Sequence, residues 1–264
     1  MTSVFGLSTL ACIVITKNEE MNIRDCLKSV QWADELIVVD AESGDRTVEL
    51  ARASGAKISV RPWPGFGLQK NYGIAQASSD WILILDADER VTEELREEVR
   101  ACIERWRSGA PVAYRIPRRN FFYGAWVRGG GVYPDYQVRL FRRGLAQYND
   151  VAVHENLLVD GEIGTLVEHL DHHTERRIQD HFKKFGLYTT MAAQEKAKKV
   201  RIVRWIDLVF RPLVVLGKTY VLKQGFRDGV RGLIVCVFAS MYTFVKYAKL
   251  WDLTRRASFH PEAR

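Results

Sequence analysis

The chain has 264 residues, 47% of them hydrophobic and 27% charged, with a formal net charge of +7. That balance excludes a disordered, collagenous or low-complexity chain, and four cysteines without paired spacing exclude a disulfide scaffold. The length suits one catalytic domain with an appendage and is short for two full domains. Cys12, Cys26, Cys102 and Cys236 lie in apolar runs and read as reduced core thiols. The polar stretch Met1 to Thr9 carries no cleavable-signal pattern, so a cytoplasmic location is expected.

Strands and helices alternate from the start. Leu10–Ile15 is a buried-strand run that ends at Thr16-Lys17-Asn18-Glu19. Asn18 is expected to cap the next helix, with Glu19 and Glu20 at its positive end and Ile23, Leu27 and Val30 on its apolar face. Leu36–Val39 is a second strand and stops on Asp40. Ser43-Gly44-Asp45 then turns into a short helix through Val48, Leu50 and Ala51 to Gly55. Ile58–Val60 is a third strand and Gln69–Ala77 a third helix. Trp81–Leu85 is a fourth strand, ending at Asp86-Ala87-Asp88 because Asp88-Glu89 is not expected to continue it. Strands alternating with helices imply a parallel sheet with right-handed crossovers, which puts Asp40 and Asp86 on one sheet edge. In open α/β sheets ligands bind outside that edge. Two carboxylates at i and i+2 there suit a hard divalent cation that takes its other ligands from water and phosphate. The helix Thr92–Arg107 carries Leu95, Val99, Cys102, Ile103 and Trp106 on one face and reads as scaffold.

Charge sets the C-terminal part apart. Residues 201–264 hold 12 Lys and Arg against 4 Asp and Glu, a net of +8, so residues 1–200 are close to neutral. The same segment is strongly apolar, and Gly232–Val245 is 14 residues without a charge, too short to cross a bilayer comfortably. Basic, aromatic-flanked apolar helices of this kind lie in a membrane interface with anionic lipids. The competing reading is a helical pair packed on the catalytic domain, or a dimer seam. Nucleic acid is not the expected partner, since the basic residues are interleaved with bulky aliphatics.

Three motifs, Ile13-Val14-Ile15-Thr16-Lys17-Asn18-Glu19, Val39-Asp40-Ala41-Glu42-Ser43-Gly44-Asp45-Arg46-Thr47 and Leu85-Asp86-Ala87-Asp88-Glu89, resemble the family 2 inverting glycosyltransferases of GT-A fold. They stand in that family's order and spacing, over residues 10 to about 190. Asp135–Arg143, Val153-His154-Glu155 and Tyr247-Ala248-Lys249-Leu250 are similar to the subgroup that extends the inner core of lipopolysaccharide, where glucose passes to a heptose. Ala41-Glu42 departs from the small polar pair usual there. The resemblance implies an α/β GT-A domain over residues 1–200 (donor half 1–90, acceptor half 91–200) followed by a C-terminal amphipathic helical appendage, 201–264.

The resemblance also implies roles. Thr16, Glu19 and Asp40 would contact uracil or ribose, Lys70 the diphosphate, and Asp86 the donor and a cation. Asp88 would ligate Mg²⁺ or Mn²⁺, with His172 reaching the metal or the diphosphate. Glu155 would be the base that deprotonates the acceptor hydroxyl, with Asp135 the second candidate. Residues 61–67 are then either a donor loop or a connector with an aromatic plug. Phe121–Trp126 would stack on a sugar or belong to the core, Gly129-Gly130-Gly131 suits a mobile loop, and Glu168–His173 is a metal site or a solvated turn. The partners implied are a UDP-sugar, a lipid-linked saccharide and an anionic membrane surface, with an oligomer left open. The implied place is the cytoplasmic face of a bacterial inner membrane, held peripherally. Alternatives are a nucleotidyltransferase, a silent adaptor that keeps the fold, and a transferase for another envelope glycan. Against the first, a glycine-rich basic loop does not follow the first strand.

Overall fold

A computed structural model describes residues 8–149, 156–200 and 202–259. Its elements in chain order are β1 (Leu10–Thr16), α1 (Ile23–Ser29), β2 (Glu35–Asp40), α2 (Thr47–Ala53), β3 (Lys57–Val60), α3 (Phe66–Ile74), β4 (Trp81–Asp86), β5 (Glu89–Val91) and α4 (Glu93–Arg105). There follow β6 (Ala113–Phe122), β7 (Ala125–Trp126), β8 (Asp135–Arg142), β9 (Ala146–Tyr148), β10 (Leu157–Val159), β11 (Ile163–Thr165), β12 (Leu170–Glu175), α5 (Ile178–Ala197), α6 (Trp205–Gly217) and α7 (Gly229–Phe259).

The chain divides into two compact units, Met1–Arg118 with Asp135–His172, and Arg119–Pro134 with His173–Arg264. The first unit is built on a sheet of order β3-β2-β1-β4-β8-β6-β12-β5. β3, β2, β1 and β4 are mutually parallel, as the alternation requires, while β8 joins β4 antiparallel and makes the sheet mixed. Alternate residues of β1 feed two cores: Leu10, Cys12 and Val14 one face, Ala11, Ile13 and Ile15 the other. Burial on both faces is why this strand reads as an unbroken apolar run. Gly73 lets α3 sit close on the sheet, for a Cβ there would lie 2.5 Å from Ile13 Cγ2 and 3.1 Å from Val39 Cγ2. Thr92 caps α4 as expected, accepting from Leu95 N at 3.2 Å.

One local expectation changes. Asn18 does not cap α1; the helix starts at Ile23 after Asn22, and Asn18 lies at φ +54° with its Oδ1 accepting from Gly44 N. As expected, Asp88-Glu89 does not continue β4, which stops at Asp86; residues 89–91 form a separate strand, β5, through an antiparallel ladder with β12 that the local sequence does not advertise.

In the second unit, β7 pairs with the end of β6, and α5, α6 and α7 enclose a core of Ala193, Val203, Tyr247 and Leu250. The unit boundary lies well before residue 200, so α5 groups with the tail helices. The glycine run expected to be mobile is tethered: Gly129 N donates to Asp228 Oδ2 at 2.6 Å and Gly130 N to the Lys223 carbonyl at 2.8 Å. A Cβ on Gly129 would meet the Gln224 carbonyl at 2.4 Å, so close approach is what glycine serves here. Phe121 stacks on His173 at 4.9 Å and Trp126 packs edge-on to Tyr133 at 5.3 Å, which builds these aromatics into the unit. The uncharged run 232–245 is the middle of a longer helix. One helix among the described residues, within Gly225–Arg255, is long and apolar enough to cross a membrane by length and composition.

Candidate active site

The parallel register assembles the candidate site at one edge. Thr16 is level with Asp40, and Ile15 with Asp86, so the ends of β1, β2 and β4 present all three side-chain positions together. Thr16 is buried, and its Oγ1 has no hydrogen-bond partner among the described residues. The same holds for Gln69 Oε1 on α3, whose Nε2 donates to the Val39 carbonyl at 3.4 Å. Buried polar atoms without partners are uncommon in folded proteins, so both atoms are open to a bond from a bound group or an ordered water.

Asp40 is fully buried and accepts from Ser43 twice, from N at 2.8 Å and from Oγ at 2.5 Å. Ser43 Oγ also accepts from Asn18 N at 2.8 Å, so the loops after β1 and β2 are tied together. Ala41 is buried and Glu42 adopts φ +57°, a left-handed conformation that costs on the order of 1–3 kcal/mol and tends to occur at functional sites. Glu19 is part of the same turn, its Oε2 accepting from Asn22 Nδ2 at 2.7 Å and its N donating to Thr47 Oγ1 at 2.8 Å.

Asp86 lies in a dense ionic cluster. Its Oδ2 accepts from Arg139 Nη2 at 2.6 Å, and its Oδ1 is 3.6 Å from Lys70 Nζ. Arg139 Nη2 also donates to Glu89 Oε1 at 2.6 Å, and Arg118 Nη1 donates to the same oxygen at 3.0 Å. Glu89 Oε2 accepts from the Asp86 backbone N at 2.9 Å, which closes the turn carrying Asp86-Ala87-Asp88. Burial pushes the Asp86 carboxyl upward, yet Arg139 and Lys70 outweigh it and hold the group far below the usual carboxylate range. For Arg139 burial opposes the charge, and Asp86 and Glu89 overcome it, raising the group well above its ordinary value. Lys70, Asp86, Arg118, Arg139 and Tyr148 line a cavity of about 390 Å³ together with Tyr136, Gln137, Val138, Asn156 and Leu157.

Asp88 points elsewhere. Its Oδ1 is 3.5 Å from Nε2 of His172, which the β5–β12 ladder sets opposite Glu89. Residues 170–175 are thus a strand and not the turn their histidines suggested. Burial disfavours protonated His172, but the hydrogen bond and charge of Asp88 prevail and raise its pKa. Among the described residues no three His, Cys, Asp or Glu side chains converge as a ready metal cage. A carboxylate oxygen and an imidazole nitrogen this close do fit two positions of a cation that draws its remaining ligands from a substrate.

Of the two base candidates, Glu155 lies outside the described residues. Asp135 opens β8, with Oδ2 accepting from Arg118 Nη2 at 2.6 Å and Nε at 2.9 Å, and Oδ1 from Gln137 Nε2 at 2.9 Å. Sequence reasoning missed Glu89, Arg118, Arg139, Ser43 and Gln69. One signal was present for Arg139: a lone charge inside the apolar β8 run must find a partner when buried.

The family model described as "Glycosyl transferase family 2" matches residues 11–156, which includes the ends of β1, β2 and β4. The chain belongs to glycosyl transferase family 2. Its mixed, mostly parallel sheet is the GT-A fold, and it is a glycosyltransferase. It is similar to the lipopolysaccharide core biosynthesis glycosyltransferase LpsC of Rhizobium meliloti, 27% identical over 250 residues and covering 92% of each chain. An uncharacterized glycosyltransferase of Rickettsia typhi, RT0209, is 26% identical over 95% of this chain and 89% of its own. Among solved structures, Staphylococcus aureus TarS 1–349 with UDP-GlcNAc matches with a TM-score of 0.49 and 14% identity, over 97% of this chain and 93% of that one. Glucosyl-3-phosphoglycerate synthase of Mycobacterium tuberculosis, with Mn²⁺, UDP and glucosyl-3-phosphoglycerate, matches with a TM-score of 0.37 and 25% identity, over 42% and 44%.

Proposed function

We propose that this glycosyltransferase moves a hexose, with glucose first in order, from a UDP-sugar to a lipid-linked saccharide at the cytoplasmic face of a bacterial inner membrane, held there peripherally. The inner core of lipopolysaccharide is the acceptor class that the similarity to LpsC favours. The observation that carries the reading is the sheet edge where Thr16 stands level with Asp40, and Asp86 one residue back beside Ile15, next to buried polar atoms that lack partners among the described residues.

On this reading Asp40 accepts from the uracil ring N–H and Thr16 Oγ1 finds its missing partner on the nucleoside. Glu19 stands at the end of β1 within reach of the ribose. Lys70, buried beside Asp86, faces the diphosphate. Asp88 and His172 would hold Mg²⁺ or Mn²⁺, while Asp86, engaged by Arg139 and Lys70, would reach such an ion only by turning from those cations. Such an ion supplies charge neutralisation for the departing UDP. Inversion requires one carboxylate to take the acceptor proton, and Glu155 is preferred to Asp135. Asp135 has its oxygens engaged by Arg118 and Gln137, which makes it the poorer proton acceptor.

The purified full chain should release UDP slowly from a UDP-sugar when Mg²⁺ or Mn²⁺ is present, and should add one hexose mass to a lipid-linked acceptor. Glu155→Gln keeps the shape and should lower turnover by roughly 10²–10⁴, the usual worth of a general base, while donor affinity barely changes. A near wild-type Glu155→Gln beside a dead Asp135→Asn would reverse the order of the two carboxylates. UDP release from no member of a panel of UDP-sugars would remove the reading.

A further inference from the structure

The helix α6 is inside out for a water-exposed element. Its outward positions, spaced by four, are Trp205, Val209 and Leu213 on one line and Ile206, Phe210 and Val214 on the next. All six are large and apolar, and all are exposed, Trp205 at 70% and Val214 at 64%. The inward side carries buried Pro212, whose carbonyl accepts from Ser240 Oγ of α7 at 2.9 Å. The turn after α6 adds Leu222, 77% exposed, and Phe226. Such a contiguous apolar face is beyond the scattered hydrophobics normal for a soluble surface.

The charges around this face are predominantly positive. Arg204, Arg211, Lys218, Lys223, Arg227 and Arg231 are exposed along and beside it. The acidic residues in that stretch are Asp207 and Asp228, and both are engaged in local bonds: Asp207 to Arg211 and the Arg204 backbone, Asp228 to the backbone of Arg128 and Gly129. A face of bulky apolar residues rimmed by an excess of cations complements an anionic phospholipid surface, where tails take the apolar side chains and headgroups the cations.

We infer that the outward face of α6, with Leu222 and Phe226 beyond it, inserts flat into an anionic bilayer interface. The inference rests on the membrane reading above and names the surface responsible for it. At 13 residues α6 is about 20 Å long, short of the roughly 30 Å hydrocarbon core, so it lies in the interface and does not cross it. The longer α7 also exposes apolar residues, among them Val230, Leu233 and Phe244, but it is bonded to its partners in the unit. Cys236, Phe238, Tyr247 and Leu250 are buried within the unit, and Lys249 Nζ donates to the Gly186 carbonyl and to Thr189 and Thr190 on α5. A spanning α7 would have to break those bonds or carry α5 into the lipid with it.

The test is flotation of the full chain with vesicles of phosphatidylcholine and phosphatidylglycerol. The variant Val209→Glu with Leu213→Glu should weaken binding by about tenfold or more, since two apolar insertions become two anions facing an anionic surface. Its rate of UDP release should stay at the wild-type value, which also reports that the chain is folded. Independently, tryptophan emission of the unaltered chain should be quenched by brominated lipid, and Trp205→Phe should remove part of that quenching. Wild-type binding to vesicles that neither substitution disturbs overturns the α6 assignment and leaves membrane attachment to another surface. A wild-type chain that ignores vesicles overturns the membrane reading as well. If that chain is also a dimer that the double variant splits, a second copy covers the face. UDP release measured beside each arm keeps these outcomes separate from failure of the enzymatic reading.

Discussion

Replacing Arg139 with Met tests the reasoning about the ionic cluster most directly. The guanidinium is buried, and one nitrogen reaches both Asp86 and Glu89 at 2.6 Å. Removing it leaves Glu89, fully buried, with Arg118 at 3.0 Å, and leaves Asp86 with Lys70 at 3.6 Å. Breaking a buried pair by deleting one partner costs about 3–5 kcal/mol, because an uncompensated charge stays in a dry place. That is a large share of the roughly 5–15 kcal/mol by which domains are stable, and translates to a melting temperature lower by about 10 °C. Arg139→Lys keeps the charge but not the fork, and should fall between the two. The measurement is thermal and urea unfolding of Arg139→Met, Glu89→Gln and the double variant. The double variant should be more stable than the two single losses add up to, since the second change removes the charge that the first stranded. A melting temperature within about 1 °C of wild type for Arg139→Met, or strict additivity in the cycle, would refute the cluster as drawn.

Other outcomes follow from single residues. Asp88→Ala should abolish Mn²⁺ binding by calorimetry and also lower the melting temperature, because Asp88 is buried against His172, and His172→Ala should weaken that binding by about 10- to 100-fold. Gly73→Ala should destabilise by about 1–3 kcal/mol in urea unfolding, because its methyl would enter space held by Ile13 and Val39. Burial raises the thiols of Cys12 and Cys26, so in the native chain at pH 8 neither should react with an aromatic disulfide reagent until the protein unfolds, whereas half-buried Cys102 should be modified first.

What the residues disclosed followed the reach of the forces involved. The parallel half was legible because β1 and β4 are buried on both faces and therefore spell themselves as apolar runs, and because a parallel register brings Asp40 and Asp86 to one edge without further information. Thr92 was legible as a cap because capping is local. β5 was not, since Glu89-Arg90-Val91 becomes a strand through its ladder with residues 170–172, distant in sequence. Glu89 reads as a solvated loop residue for the same reason: the arginines that make its burial tolerable arrive from β6 and β8. The glycine run 129–131 misled because glycine serves close approach as readily as motion, and its tethers, Lys223 and Asp228, lie a hundred residues on.

The origin of those arginines also bears on the order in which the chain is made. A ribosome releases β1 to β5 before Arg118 and Arg139 exist outside the tunnel, and adds only about 5–20 residues per second. During that interval Glu89 has neither cation, and β4, all apolar from Trp81 to Leu85, has its β8 side open, the register Trp81↔Arg142 to Leu83↔Leu140 being unmade. An open apolar strand edge invites pairing with another chain. The nascent N-terminal half should therefore engage a holding chaperone until β8 seals it, and a released fragment ending near residue 110 should be retained by such a chaperone where one ending near 190 is not.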